Sequence, residues 1–273
     1  MNDFLGYAGK RVIVSGCFSG MGHAAAKQLL SLGAEVHGLD YKDCPLKLAS
    51  FTHIDLRDPA SIDSAIQKIG GRVDALFNCA GLPQTFPALD VMKVNYFGTR
   101  HLTEAVLPLM SSNSAIACIS STAGMGWSRR IPLLRELLAI ESQGEALAWC
   151  ESHMEDIREG YAFSKELIIY WTMMSSFKLI NRGIRINCTL PGPTQTPMMA
   201  EFEAATPRDI LDAALQPINR RSTPEEQAAA IVFLNSSVAS YMNGVALPID
   251  GGFFAGLATG QIDPTFMMAN KGK

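Results

Sequence analysis

At 273 residues the chain is long enough to bury one sizeable core, and its 48% hydrophobic and 18% charged residues are those of an ordinary globular protein. Its formal charge of −3, from 23 basic and 26 acidic residues, leaves no electrostatic footprint for nucleic acid, and no apolar run approaches the ~18 residues that a membrane span needs. The start, Met1-Asn2-Asp3-Phe4-Leu5-Gly6, shows no basic region ahead of an apolar stretch, and six cysteines fall in no CxxC pair, so a reducing cytoplasm is expected and a secretory route is not.

The first half alternates short apolar runs with longer helical patterns, which is how successive strand–helix units of a parallel sheet read. Residues 12–14 are an expected strand, followed by a glycine-rich turn and a helix through 24–30 that stops at Gly33. Strands are expected at 35–39 and 51–54, a helix at 60–69 and a fourth strand at 74–77. One long helix is read over 89–110 and a fifth strand over 115–119. A helix containing Tyr161 and Lys165 continues to about residue 179, followed by a strand at 184–189, a helix at 224–234 and a strand at 245–249. Seven strands with crossover helices predict an α/β, doubly wound, seven-stranded parallel sheet, a Rossmann fold that occupies 1–273 as a single domain.

One stretch breaks that rhythm. Between Gly124 and Gly160 lie about 36 residues where a strand-to-helix connection needs two to six. Leu133, Leu134, Leu137, Leu138 and Ile140 recur at helical spacing, as do Leu147 and Ala148 beside Trp149. Residues 125–160 therefore read as an inserted pair of short helices, which either pack or self-associate, or form a lid over a substrate.

Tyr161 and Lys165, four residues apart, share one helical face. A phenol with a pKa near 10 is a poor acid or base at neutral pH, and a unit charge about 4 Å away at an effective dielectric of 20 is worth about 4 kcal/mol, roughly three pKa units. Lys165 is thus expected to bring Tyr161 into working range for proton transfer. A tyrosine and a lysine on a solvated helix face would show the same spacing, so the rest of the chain has to supply a hydride carrier and a carbonyl site.

The turn Ser15-Gly16-Cys17-Phe18-Ser19-Gly20-Met21-Gly22 lies between a strand and a helix, although its spacing differs from GxGxxG. Such glycines let a pyrophosphate approach the free N–H groups of the helix N-terminus, which makes Ser15, Gly16, Ser19, Gly20, Met21 and Gly22 candidate cofactor contacts. Asp40 ends the second strand 18 residues past Gly22, where a carboxylate accepts both ribose hydroxyls and repels a 2′-phosphate, selecting NAD over NADP. Asp55 and Leu56, after the third strand, are placed to flank the adenine. Five scattered histidines with no i, i+4 pair argue against a metal site, and Cys79, Cys118 and Cys188 read as small hydrophobes in or beside core strands.

The order of these motifs resembles the single-domain short-chain dehydrogenase/reductase family over nearly the whole chain. Glycines 16, 20 and 22 resemble its cofactor turn, with Ser15 in place of the usual Thr, and Asn78-Cys79-Ala80-Gly81 resembles its Asn-Asn-Ala-Gly signature with one departure. Asn95 falls where the family keeps a catalytic Asn, Ser121 matches its catalytic Ser, and Tyr161 with Lys165 matches Tyr-x-x-x-Lys. Pro191-Gly192 with Thr194 and Thr196 resembles the nicotinamide-side loop, and Ile249-Asp250-Gly251-Gly252 the strand-end signature near the C-terminus. Ser121 and Tyr161 are 161 − 121 = 40 residues apart where most of the family has a dozen or so. An insertion there, together with Ser15-Gly16-Cys17, the stretch Cys79-Ala80-Gly81-Leu82-Pro83-Gln84-Thr85 and Val94-Asn95-Tyr96-Phe97-Gly98, resembles the bacterial 3α-hydroxysteroid dehydrogenase/carbonyl reductase branch.

That resemblance implies an NAD-dependent oxidoreductase that interconverts a secondary alcohol and a ketone. Tyr161 would be the general acid and base, Lys165 would lower its pKa and hold the nicotinamide ribose, Ser121 would bind the substrate oxygen, and Asn95 would hold a water linking Lys165 to solvent. Asn78, Ala80, Gly81, Pro191, Gly192, Thr194 and Thr196 join the cofactor contacts. It also implies a homodimer or homotetramer in which the insertion adjoins the helix that often forms the interface. Met198, Met199 and Phe202, within 196–221, suit either a bulky apolar substrate such as a hydroxysteroid or plain core filling. A smaller cyclic, terpenoid or aromatic alcohol or ketone is the alternative, and a non-enzymatic NAD-sensing regulator a more distant one. Arg129, Arg130 and Arg208 are the candidate anchors for an acidic group on the substrate. The tail 256–273, with Thr265-Phe266-Met267-Met268, either closes a neighbouring pocket or frays.

Overall fold

The computed structural model describes residues 3–263. β1 (Arg11–Ser15) buries Val12, Ile13 and Val14 completely, β-branched residues that suit a strand covered on both faces. α1 (Gly20–Ser31) returns to β2 (Glu35–Asp40), which pairs with β3 (Ser50–His53). α2 (Pro59–Ile69) starts where the Asp58 carboxylate accepts the N–H of Ala60 and proline fills the first helical position, and it stops at Gly70 before β4 (Val73–Asn78).

The single helix expected over 89–110 is instead interrupted. α3 (Ala88–Met92) runs into a π-helical turn (Lys93–Gly98), and only then does α4 (Thr99–Val106) resume, closed by a 3₁₀ turn (Leu107–Leu109). β5 (Met110–Ile119) begins five residues before the expected strand: Met110 pairs with Val73, and after a register shift Ala115 pairs with Ala75.

Residues beyond β5 form a 3₁₀ segment (Thr122–Arg129), then α5 (Ile131–Ala139), α6 (Gln143–Ser152) and the single turn α7 (Met154–Ile157). The expected pair of helices is present, with one extra turn. α8 (Tyr161–Leu179) leads to β6 (Arg185–Pro191). The stretch after β6 folds into two short helices, α9 (Met199–Ala205) and α10 (Arg208–Ala213), before α11 (Pro224–Asn235) begins with a capping box in which Thr223 and Glu226 bond each other's backbone N–H groups. β7 (Ala246–Ile249) and α12 (Phe253–Ala258) complete the described chain, and Thr265-Phe266-Met267-Met268 lies outside the described residues.

All seven strands are parallel, in the order β3-β2-β1-β4-β5-β6-β7. The order reverses between β1 and β4, and ligands of open α/β sheets bind at the carboxyl ends of strands beside such a reversal. Register aligns those ends: Ser15 pairs with Asn78, Asn78 with Cys118, and Cys118 with Cys188. One face of the sheet packs on α1 and α11 through Ala24, Ala25, Leu29, Ala228 and Ile231. The other packs on α2, α4 and α8, and there Leu134, Leu137, Trp149 and Ile157 of the insertion join the same apolar core. No described helix is long and apolar enough to cross a membrane.

Candidate active site

The turn after β1 is shaped by what it must approach. Gly16 has φ 75°, and a side chain there would come within 2.7 Å of the backbone N of Ala80. A Cβ on Gly22 would collide with the carbonyl of Gly16. Ser19, the residue before α1, makes no side-chain cap, and the first turn of the helix holds no acid, so its N–H groups and dipole face the turn without a protein anion. A cradle that glycine alone fits, under an uncapped helix N-terminus, suits a pyrophosphate.

Ser15, an expected cofactor contact, also joins two loops. Its side chain is buried and accepts the N–H groups of Cys79 (3.2 Å) and Ala80 (3.4 Å), which joins the β1 turn to the loop after β4. Asn78 is also turned inward: Nδ2 donates to Thr103 (2.9 Å), tying β4 to α4. Asp40 is buried at the end of β2, where Oδ2 accepts Phe18 N–H (2.9 Å) and Oδ1 accepts Lys42 N–H (3.1 Å). Among the described residues no cation pairs with Asp40; the Lys42 ammonium lies over the rings of Phe18 and Tyr41. Asp55 is occupied by Arg57, bonded at 2.7–3.2 Å, which holds its carboxyl below the usual range. Leu56 is buried against Gly98.

Farther along the same edge of the sheet, loops from β1, β4, β5 and β6 enclose a cavity of about 270 Å³. Met21, Gly81, Ser121, Tyr161, Lys165, Pro191, Gly192, Thr194 and Thr196 all line it. Thr196 also reaches across to Gly20, so the β6 loop adjoins the β1 turn. Met198, Met199, Phe202 and Leu211 supply an apolar side, and the Phe202 ring meets that of Tyr161 edge-on at 5.0 Å between centroids. Arg129, Arg130 and Arg208 do not line it: Arg130 binds Glu166 at 3.2 Å, and Arg208 is 93% exposed beside Asp212. Lys165 is therefore the lone cation among the described lining residues. No described group of His, Cys, Asp or Glu could hold a metal ion.

Backbone contacts fix the chemical groups. Ser121 starts the 3₁₀ segment, its Oγ accepting Ala123 N–H at 3.1 Å. The neighbouring Ser120 hydroxyl donates to the carbonyl of Lys165 (2.7 Å), and a side chain on Gly124 would come within 2.8 Å of that same carbonyl. The two chain segments therefore touch main chain to main chain. Before Tyr161, Gly160 has φ 78°, and a side chain there would come within 2.6 Å of the Ala88 carbonyl oxygen. The Lys165 ammonium donates to Ile119 O (3.0 Å) and lies 5.5 Å from the centre of the Tyr161 ring. Asn95 sits in the π-helical turn, an irregularity often found at functional sites. Its Oδ1 accepts Leu82 N–H (2.7 Å) and its Nδ2 donates to Leu82 O (3.0 Å), which anchors the loop after β4.

Electrostatics here differ from the expectation. Burial pushes the Tyr161 phenol up to about 12, and a hydrogen bond with Ser121 opposes that rise. Burial also brings Lys165 down to about 8. Desolvation, which penalises each charged form, outweighs the attraction that the four-residue spacing suggested. At neutral pH the phenol thus keeps a proton to give.

Gln84, Thr206 and Glu159 are among the lining residues that the sequence reading did not assign as contacts. Gln84 lies inside a stretch singled out for its resemblance, but nothing local marks Thr206, whose hydroxyl Gln84 meets from 122 residues away.

Residues 10–132 match the family model described as short chain dehydrogenase, and residues 146–254 match one described as Enoyl-(Acyl carrier protein) reductase; the break between them falls inside the insertion. A coniferyl-alcohol dehydrogenase of Pseudomonas sp. is 34% identical over 244 residues, covering 89% of this chain and 96% of the relative. A 3-alpha-hydroxysteroid dehydrogenase/carbonyl reductase of Comamonas testosteroni is 31% identical over 253 residues, with the same coverage. Among solved structures, the 3-alpha-hydroxysteroid dehydrogenase of Pseudomonas sp. B-0831 complexed with NADH superposes with a TM-score of 0.78 at 27% identity, over 92% of this chain and 99% of that one.

Proposed function

This chain belongs to the short-chain dehydrogenase/reductase family of nicotinamide-dependent oxidoreductases, and we propose that it uses NAD to interconvert an uncharged secondary alcohol and its ketone on an apolar, ring-containing substrate. The convergence of Ser121, Tyr161 and Lys165 on one cavity with the glycine-turn and β6-loop residues carries this reading. The bound cofactor supplies or accepts the hydride. Tyr161 gives its proton to the carbonyl oxygen in reduction and takes it back in oxidation. Ser121 donates a hydrogen bond to the same oxygen and stabilises its developing charge. Lys165 would hold the nicotinamide ribose, and its ammonium restrains the negative charge that forms on Tyr161. Asn95 keeps one acceptor site on Oδ1, beside Gly81, from which a water joins Lys165 to solvent. Asp40, buried with no cation paired to it among the described residues, favours the ribose hydroxyls of NAD over the 2′-phosphate of NADP.

The cavity bears on the substrate. At about 270 Å³ it falls just below the ~300–1,000 Å³ usual for small-molecule sites, and part of it belongs to the nicotinamide. A single ring system fits within that space, and the open mouth of the cleft leaves room for the hydroxysteroid first expected to project from it. The steroid reading keeps support from the likeness to the NADH-bound hydroxysteroid dehydrogenase and from the flexible Met198 and Met199 in the lining. With Lys165 as the lone lining cation, neither reading calls for an acidic substrate.

Initial rates with NADH and NADPH across steroid, terpenoid and aromatic ketones test the proposal. Tyr161→Phe is expected to lower kcat by roughly 10²–10⁴-fold. Activity within tenfold of the parent would remove Tyr161 from the chemistry, and a clear preference for NADPH would refute the role of Asp40.

A further inference from the structure

Met198, Met199, Phe202 and Leu211 give the cavity an apolar wall, and polar side chains line it elsewhere, Ser121 and Tyr161 among them. Gln84 and Thr206 form a second polar pair in the lining: Gln84 Nε2 donates to the Thr206 hydroxyl at 2.9 Å, joining the loop after β4 to the chain just past α9. α9 connects the two pairs. Phe202 packs on Tyr161, and Thr206, whose N–H bonds Phe202 O at 2.8 Å, caps the helix about one turn later. One helical turn is about 5.4 Å, close to the length of a six-membered ring with its para substituent. Among the described residues Gln84 makes no other side-chain hydrogen bond, so its carbonyl oxygen and second N–H stay free to meet a ligand. Glu159 also lines the cavity but is exposed to water beside the helix start, where a solvated carboxylate discriminates poorly.

We propose that Gln84, supported by Thr206, is the specificity-determining residue of this site and recognises a hydroxyl or carbonyl group on the substrate about one ring length from the reacting carbon. The preferred substrate class is then a ring-sized alcohol or ketone with a second, uncharged polar group at its far end. This rests on the reading of the cavity as a dehydrogenase site.

The test uses para-hydroxyacetophenone and acetophenone, which differ only in the distal hydroxyl. With oxidised NAD present, calorimetry gives the Kd of each ketone without turnover; with NADH present, initial rates give kcat/KM. The parent is expected to favour the hydroxylated ketone about tenfold in both measurements, and Gln84→Met, similar in length but without hydrogen-bonding groups, to bring both ratios to near unity. Equal losses for the two ketones would make Gln84 a mere fastener of α9, and no preference in the parent would equally overturn the assignment. A Gln84-dependent preference in Kd without NADH oxidation would sustain this inference and sink the dehydrogenase reading. Turnover without preference would do the reverse.

Discussion

Two segments depart from the strand–helix alternation and both reach Tyr161, yet they are fastened by opposite means. Residues 125–160 bury Leu134, Leu137, Ala146, Trp149, Cys150 and Ile157, while Arg130 bonds Glu166 on α8, donates to Asp156 O and lies over the Phe163 ring. In the strap of 196–221, α9 buries only Met199 and α10 buries nothing; it is held by the Gln84–Thr206 bond, the Arg221–Glu203 pair and the Phe202–Tyr161 contact. The insertion is the larger departure in sequence, but Glu159 is its sole contribution to the cavity lining, whereas Thr196, Met198, Met199, Phe202, Thr206, Leu211 and Ala214 come from the strap. The segment that adds most to the core thus meets the ligand least. Elements that admit ligands are drawn from the less stable parts of a fold.

The contrast breaks most directly at Trp149, which stacks on His153 and Phe163 and bonds Glu136. Trp149→Ala is expected to cost about 3–5 kcal/mol in urea unfolding. A loss below about 1 kcal/mol would mean that the insertion is lightly docked after all. Glu166 tests its ionic fastening. Burial raises this carboxyl from 4.5 to about 7 despite the Arg130 guanidinium, so the folded state holds the proton more tightly than the unfolded chain. Its contribution to stability is therefore full below about pH 4.5 and is lost as pH rises through about 7, a change on the order of 2–3 kcal/mol. Glu166→Gln should flatten that slope, and parallel urea midpoints for parent and variant between about pH 4 and 8 would contradict it. The smallest stability effect belongs to the strap. Phe202→Ala should change unfolding by less than about 1 kcal/mol while raising substrate KM several-fold. A drop in Tm comparable to that of Trp149→Ala would erase the distinction.

What could be read from the sequence follows from how physical demands leave marks in it. Gly16 and Gly22 stand where a Cβ has no room, and Asp40 stands at a strand end, so the conformation of the turn after β1 was legible letter by letter. Asn95 could be placed by resemblance, but its π-helical turn could not, because one extra residue per turn barely disturbs an apolar pattern read over 89–110. α9 and α10 left no apolar period because they bury almost nothing. The shared face of Tyr161 and Lys165 was visible, whereas the direction of their shifts was not: burial on all sides is a property of the folded surroundings. Arg158, with φ 56° and ψ −123° in a region that glycine usually occupies, gave no sign of its conformation.

Gly124 and Gly160 bracket the insertion, and each sits against main chain that belongs to the common scaffold: Lys165 of α8 for the first, Ala88 of α3 for the second. The spacing of Ser121 and Tyr161 is therefore set at two anchorage points and is independent of the contour length of chain between them. A dozen residues or forty can be looped out there with Ser121 and Tyr161 undisturbed. The position is a natural port for grafting, where length and sequence are free to drift provided that the two glycines stay.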